Sequence, residues 1–232
     1  MDEVVRNSIP FEVEVITDMR QLREGDLMFG PIHGLSGLLV GLGQLVLAIA
    51  EPGLIWRQGI KEWFRVRHTG VVVKASSHNF ECGPGWARGT GPMLVQAMPG
   101  GAEVIELDHT KWNSEYTYLR PNYSLKPNAS GVFQNQAVAN AAKGYIGTRY
   151  DFLTYLCIPL YRRGLRTKRI KRIISDTITM MCSRLADKCL DDAGHHMFTD
   201  ERLPGNVTPS ELYRRAVRMP YVARSDLSHI PA

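Results

Sequence analysis

Cysteine is scarce in this chain, and the spacings that mark metal sites are missing. Only four of the 232 residues are cysteines, and no two of them form a C-x-x-C pair. No zinc-ligand pattern joins them to the histidines. The pattern favours free thiols in a reducing compartment, with an oxidised pair as the alternative. We therefore predict a protein that needs no metal or other cofactor; its cysteines are Cys82, Cys157, Cys182 and Cys189.

The first residues also lack the pattern that is expected of a secretion signal. The N-terminal sequence MDEVVRNSIPFEVEV is acidic and mixed, whereas a signal peptide has a basic start followed by an apolar run. We therefore expect synthesis in the cytoplasm without a Sec signal.

The main apolar stretch, residues 30–50, has a dense apolar part that is too short to cross a bilayer. Its dense apolar part is residues 35–50, whereas about 20 residues are needed to span a membrane. Gly37, Gly41 and Gly43 weaken a free amphipathic helix, and the apolar residues leave hardly any polar face. We therefore expect a helix that is buried in the protein rather than one that binds lipid.

The remaining composition is that of an ordinary folded protein without repeats. The apolar fraction is 44% and the charged fraction 22%, and the length suffices for one substantial core. The net charge of +5 favours anionic partners only in a general way.

The order of hydrophobic patterns predicts an α+β fold. Short strands are expected in the first half, and helices dominate from about residue 129 onward. A helix from about residue 181 to 193 would end before Gly194, and another would begin with Thr208 as its cap. From this order we expect an antiparallel sheet that packs against helices. The predicted strands are residues 27–30, 68–75, 92–98, 102–107 and 116–121.

Cys182 lies where an apolar run turns into an amphipathic helix, in ITMMCSRLADKCLDDAG. A cap at Thr177 or Thr179 would place this cysteine in the first helical turn, where the helix dipole favours the thiolate. Most cysteines in such settings are small core residues, and this alternative stays open.

His68 opens a β-branched strand, and Gln96 lies on the next predicted strand among apolar residues. A thiol nucleophile works best beside a base, and a third polar group should orient that base. Gly70 would allow close approach of another chain segment. A strand histidine held only by hydrogen bonds, and a glutamine that faces solvent, are the structural alternatives.

Six short segments occur in a particular order over about residues 25–213: EGDLMF, RHTGVVV, LVQAM, AKGYIGTRYDF, MCSRLAD and TPSELY. Together they resemble the circularly permuted NlpC-type papain-like cysteine peptidases, the YiiX/YebB-like branch. In that family the histidine strand precedes the cysteine helix, the reverse of papain. The resemblance implies a permuted papain-like fold with the nucleophile at a helix N-terminus.

The resemblance also implies roles for individual residues. Cys182 matches the nucleophile, His68 the general base and Gln96 the third polar residue, although that position is often acidic in this branch. Tyr150 matches a tyrosine that helps to bind the oxyanion, and Ser183 is assigned with it to oxyanion or substrate binding. The backbone N–H of Cys182 is the other expected oxyanion donor.

The chain departs from the family in two inserts within one domain of residues 1–232. The first, residues 30–64, is apolar and helical, and the second, residues 153–175, is apolar and basic. Its cations form either a solvated face or a surface for teichoic acid, anionic lipid headgroups or nucleic acid. No aromatic residues interleave them, which disfavours single-stranded nucleic acid. We call these basic residues the basic stripe: Arg162, Arg163, Arg166, Lys168, Arg169, Lys171 and Arg172.

Three functions stay open. The first is a thiol hydrolase that cleaves an amide bond, with cell-wall (peptidoglycan) peptide as the preferred substrate. A phage-encoded protein, released by lysis or carried in a virion, would fit the missing signal. The second is a lipid acyl hydrolase or acyltransferase with the same Cys–His pair, in which residues 35–50 and the basic stripe face a membrane. The third is a non-catalytic structural module, such as a virion or tail component.

Overall fold

An antiparallel sheet forms the centre of the molecule. The computed structural model describes residues 13–16, 21–32, 34–50, 66–74, 91–107, 116–121, 130–175, 179–195, 197–198 and 206–217. The elements in this part of the chain are β1 (Val13–Ile16), β2 (Leu27–Gly30), α1 (Gly34–Ala50), β3 (His68–Lys74), β4 (Met93–Met98), β5 (Gly101–Glu106), β6 (Thr117–Pro121), α2 (Gln134–Gly144), β7 (Arg149–Tyr150), α3 (Leu153–Arg162), α4 (Lys168–Ser175), β8 (Thr179–Met180), α5 (Cys182–Asp192) and α6 (Pro209–Val217).

Six strands pair in the order β1-β6-β2-β3-β4-β5, and each neighbouring pair is antiparallel. The short strands β7 and β8 form a separate parallel pair. Every residue of β3 is buried, which fits its β-branched composition and its place inside the sheet. The predicted α+β class is confirmed.

Two apolar layers cover the two faces of the sheet. Side chains alternate between the faces along a strand, so Val71 and Val95 pack with Leu185 of α5 and Val138 of α2. On the other face Val72 packs with side chains of neighbouring strands. Helix α5 lies directly against β3 and β4, and this contact brings the helix N-terminus to the end of the sheet.

Helix ends follow local sequence signals closely. At the start of α6 the Thr208 N–H donates to the Glu211 carboxylate at 3.0 Å, and the Glu211 N–H donates back to Thr208 Oγ1 at 3.3 Å. This is the predicted capping box. At the end of α5, Gly194 has φ 73°, and its N–H and that of His195 donate to carbonyls of the last turn at 2.8 Å. The predicted glycine stop is confirmed.

Helix α1 differs from the prediction of a buried helix. Its inner side is buried through Val40, Gln44 and Leu47. Five large apolar side chains on the helix are instead 41–66% exposed, and these are Leu38, Leu42, Leu45, Val46 and Ile49. Neither α1 nor any other helix in the described ranges is long and apolar enough to cross a membrane.

A buried ion pair holds the turn before β2. Both carboxylate oxygens of Asp26 accept from the Arg120 guanidinium, at 2.9 and 2.8 Å, and the Arg23 N–H donates to one of them at 2.7 Å. Burial raises the pKa of Asp26 to about 6, since its effect exceeds the opposing effect of Arg120. Asp26 therefore has the structural role expected for the Gly-Asp turn.

Candidate active site

Cys182 is the first residue of α5 and is fully buried. Met181 precedes it in an extended conformation, with φ −94° and ψ 163°, and no side chain caps the helix. The predicted cap at Thr179 is wrong, because Thr179 lies in β8 and its hydroxyl donates to Asp151 at 3.2 Å. Thr177 lies outside the described residues. An uncapped helix start leaves the first-turn amides without carbonyl partners in the helix, and such amides favour a negative charge.

His68 is the first residue of β3, where the sheet meets the start of α5. The Cys182 sulfur lies 3.9 Å from the carbonyl oxygen of Arg67, the neighbour of His68. Nε2 of the His68 ring lies 2.7 Å from Gln96 Oε1. The fold therefore brings together three predicted residues that are up to 114 positions apart in the sequence.

Strand register explains how Gln96 reaches the ring. Gln96 pairs with Gly70, which lies two residues after His68 and on the same face of β3. A Cβ at Gly70 would lie 2.9 Å from the Val95 carbonyl oxygen and 3.0 Å from the Leu94 side chain. Only glycine fits there without displacement, and its small size lets β4 approach closely.

Glu103 is a further residue of the site that the sequence interpretation missed. It pairs with Gln96 across the β4–β5 hairpin, and its carboxylate accepts from the Gln96 amide nitrogen at 3.1 Å. A carboxylate accepts hydrogen bonds only, so the Gln96 amide must turn its oxygen towards His68. The tight hairpin at residues 99–100 contained the necessary signal, because its length fixes the pairing of positions 96 and 103.

This chain of contacts sets the tautomer of His68. An amide oxygen accepts a hydrogen bond from Nε2–H, so the neutral ring keeps its lone pair on Nδ1. Nδ1 is buried and has no standard hydrogen bond among the described residues. Catalytic hydrogen bonds are often incomplete before substrate binds. Nδ1 is therefore the ring nitrogen available to exchange a proton with the Cys182 thiol.

The electrostatics of the ring favour the imidazolium. Burial alone would lower the pKa of His68, but interactions with Cys182, Gln96 and Glu103 outweigh it and raise that pKa above its usual value. The interaction with Cys182 is reciprocal, so an imidazolium stabilises the thiolate as much as the thiolate stabilises the imidazolium. The pair therefore has the charge arrangement of an activated thiol nucleophile.

Tyr150 and Ser183 lie near Cys182 in different ways. Tyr150 pairs with Met180 in the β7–β8 ladder, two residues before Cys182. Its side chain packs against the apolar layer between the sheet and α5, and against a second cluster that contains Val40, Leu47 and Met181. Its role in oxyanion binding stays a prediction. The Ser183 hydroxyl donates to the Val207 carbonyl at 2.6 Å inside the protein. This bond uses the proton of the Ser183 hydroxyl inside the protein, and the assignment of Ser183 to oxyanion or substrate binding stays a prediction.

The basic stripe divides into one structural residue and six exposed ones. The Arg162 guanidinium binds the Glu211 carboxylate at 2.7 and 3.0 Å and the Asn206 side chain at 2.8 Å. These contacts hold α3 against the start of α6, so the Arg162 guanidinium is already engaged within the protein, and its assignment to an anion-binding surface stays a prediction. The other six side chains are exposed, and they are Arg163, Arg166, Lys168, Arg169, Lys171 and Arg172.

The cysteines of α5 permit a direct test of the charge arrangement. Cys182 and Cys189 lie on the same helix, and both are fully buried. Burial, followed by the Asp192 charge, raises the pKa of Cys189, and burial likewise raises that of Cys157. We expect iodoacetamide at pH 6 to label Cys182 at least tenfold faster than Cys189 or Cys157, because only Cys182 has an imidazolium beside it.

Peptide mass spectrometry over a brief labelling course measures the three rates. The His68→Ala variant is the matched control, since it should slow the labelling of Cys182 and leave Cys189 unchanged. Equal, slow labelling of all three thiols in the unmodified protein would contradict the assignment of the nucleophile.

The arrangement of Cys182, His68 and Gln96 supports thiol chemistry, and comparison with known proteins assigns the chain to no family. In the described ranges no group of three or more His, Cys, Asp or Glu side chains is placed to hold a metal ion. No family model matches the chain, and no curated protein matches it.

Proposed function

We propose that the protein is a thiol hydrolase with a circularly permuted papain-like fold that cleaves an amide bond in a cell-wall peptide. The observation that carries the proposal is the His68 ring, which lies beside Cys182 and is held by Gln96 at 2.7 Å. A nucleophile, a base and a group that orients the base are the parts that acyl transfer needs. The antiparallel sheet packed against α5 agrees with the proposed fold at the level of its class.

In this mechanism the Cys182 sulfur attacks the carbonyl carbon of the amide. His68 takes the thiol proton and gives it to the leaving amine, so that an acyl thioester remains on Cys182. Water then hydrolyses the thioester, with His68 again acting as the base. The first-turn amides of α5, together with Tyr150, stabilise the negative oxygen of each tetrahedral intermediate.

A lipid acyl hydrolase is the second candidate, and one observation favours it. The five exposed apolar side chains of α1 form an uncovered surface, and the inner side of α1 contacts Met181 next to the nucleophile. An acyl chain needs an apolar surface near the sulfur, whereas a peptide needs polar groups. The same Cys–His pair serves either substrate, so the triad alone does not separate them.

Product analysis distinguishes the two reactions. We expect the purified protein to release new amines from cell-wall peptide, and we expect the Cys182→Ala variant to release none. Little fatty acid should be released from phospholipid vesicles under the same conditions. Fatty-acid release that depends on Cys182, without amine release, would replace the peptidase proposal with the second candidate. Inactivity in both assays would favour a non-catalytic module.

A further inference from the structure

One side of α1 carries an apolar surface that none of the described residues covers. Leu38, Leu42, Leu45, Val46 and Ile49 are spaced by three or four residues with one adjacent pair, so they lie on one side of the helix. We call these five residues the apolar face. The helix contains no charged residue along its whole length. Exposed apolar surface of this kind marks a site of interaction.

A cationic surface adjoins the elements that carry the apolar face. Helix α3 packs against α1, and α4 packs against α3. Leu153 and Leu160 of α3 and Leu165 beyond it are 44–60% exposed and extend the apolar character. Residues 152–175 contain no Asp or Glu. We call the six exposed basic side chains the cationic surface: Arg163, Arg166, Lys168, Arg169, Lys171 and Arg172.

We propose that the protein docks on an anionic lipid bilayer through the apolar face and the cationic surface. Apolar side chains that enter the boundary between headgroups and acyl chains, together with cations that meet anionic headgroups, are the two contributions that hold a peripheral protein on a membrane. A nucleic acid would use the cations and leave the leucines uncovered. A symmetric second copy would place two sets of like charges close together, which costs free energy.

Helix α1 is hydrogen-bonded to the segment directly before β3, the strand that carries His68. The buried Gln44 side chain of α1 donates to the Val66 carbonyl at 3.0 Å and to Ser210 Oγ at 2.7 Å. Val66 lies two residues before His68. On the same helix Val40 and Leu47 pack with Met181, the residue before the nucleophile. A bilayer bound to α1 therefore lies one helix away from the candidate site.

Vesicle flotation tests this proposal with the full-length protein. We expect the protein to float with vesicles of phosphatidylcholine and phosphatidylglycerol, and to stay in solution with phosphatidylcholine alone. The Leu42→Gln/Ile49→Gln variant and the Arg169→Glu/Lys171→Glu/Arg172→Glu variant should each bind at least tenfold more weakly. All five positions are exposed, so thermal unfolding should show that both variants stay folded.

Two control variants make the result specific. Val217→Gln removes an apolar side chain that is 47% exposed on α6 and is not one of the five residues of the apolar face, and this variant should bind like the unmodified protein. Cys182→Ala should also bind normally, since docking does not depend on the proposed hydrolysis; failure of the enzymatic proposal therefore leaves this result unaffected.

Three results would overturn the docking proposal. The first is no flotation with anionic vesicles. The second is binding to single-stranded DNA or a soluble polyanion that needs the cations but not Leu42 and Ile49, which would indicate a polymer partner. The third is a dimer in light scattering that Leu42→Gln/Ile49→Gln dissociates, which would assign the apolar face to a second copy of the chain.

Discussion

Replacement of His68 by alanine is expected to lower kcat/KM for amide hydrolysis by about four to six orders of magnitude, the range seen when one member of a catalytic triad is lost. The buried thiol of Cys182 would then lose both the base that accepts its proton and the cation that stabilises its thiolate. Steady-state kinetics on a wall-derived peptide, with active-site titration of the remaining thiol, measures the loss.

Substitutions further from the Cys182 sulfur in this chain of contacts should cause smaller losses of activity. Gln96→Ala should cost about one to three orders of magnitude, because it only orients the ring. Glu103→Gln should cost less, and it should move the alkaline limb of the pH profile to lower pH. The Glu103 charge raises the pKa of His68, and the imidazolium is lost sooner without it.

Glu106 supplies the matched control for Glu103. It lies on the same strand, and its carboxylate accepts from the Gly91 N–H at 2.9 Å instead of from Gln96. Glu106→Gln should leave the pH profile in place.

Unchanged turnover in Gln96→Ala would mean that another group orients His68, and the proposed role of Gln96 would be wrong.

The Asp26→Ala substitution is expected to lower the free energy of unfolding by about 3–5 kcal/mol, the cost of removing one partner from a buried ion pair. The Arg120 guanidinium, only 12% exposed, would remain charged without its carboxylate. The Arg23 N–H would also lose its acceptor. Urea unfolding followed by circular dichroism measures the change.

Glu24 offers a neighbouring control, since its carboxylate pairs with Lys143 at 3.8 Å near the surface. Glu24→Ala should cost less than about 1 kcal/mol. An equally small loss in Asp26→Ala would show that the buried pair contributes no more than a surface pair.

Titration of Asp26 adds a pH dependence with a definite sign. Its folded pKa of about 6 lies above the ordinary value of 3.8. The folded state therefore binds this proton more tightly than the unfolded state does. The resulting stabilisation is complete below about pH 3.8 and is lost as the pH rises through about 6. This slope should be absent from the Asp26→Asn variant.

Local chemistry explains which parts of the fold were predictable from sequence. The start of α6 depends on interactions within one helical turn, among Thr208, Pro209 and Glu211. The end of α5 depends on the backbone conformation of one residue, Gly194. Both helix ends could therefore be predicted from short stretches of sequence. The strand β3 was predictable because β-branched residues in a continuous run favour a buried strand. Proline usually interrupts a helix, yet α3 continues through Pro159 to Arg162, because the packing of the helix overrides this local preference.

Other features depend on contacts between distant segments. Arg162 belongs to a basic run in the sequence, but Glu211, 49 positions later, determines its role. The exposed side of α1 was missed because hydropathy shows that a helix is apolar and not which of its sides a neighbour covers. His68, Cys182 and Gln96 were identified by residue type and resemblance, whereas Glu103 required strand register.

The separation between thiol and base in the sequence has a consequence for chain synthesis. Cys182 lies 115 positions after the Arg67 carbonyl that it contacts, and Ser210 lies 144 positions after the Val66 carbonyl that its hydroxyl binds. Contacts over such distances form slowly during folding. A ribosome therefore completes the strand with the imidazole long before the sulfur emerges. A nascent or partly folded chain keeps the two groups apart, so the proposed thiolate reactivity would arise only with the completed fold.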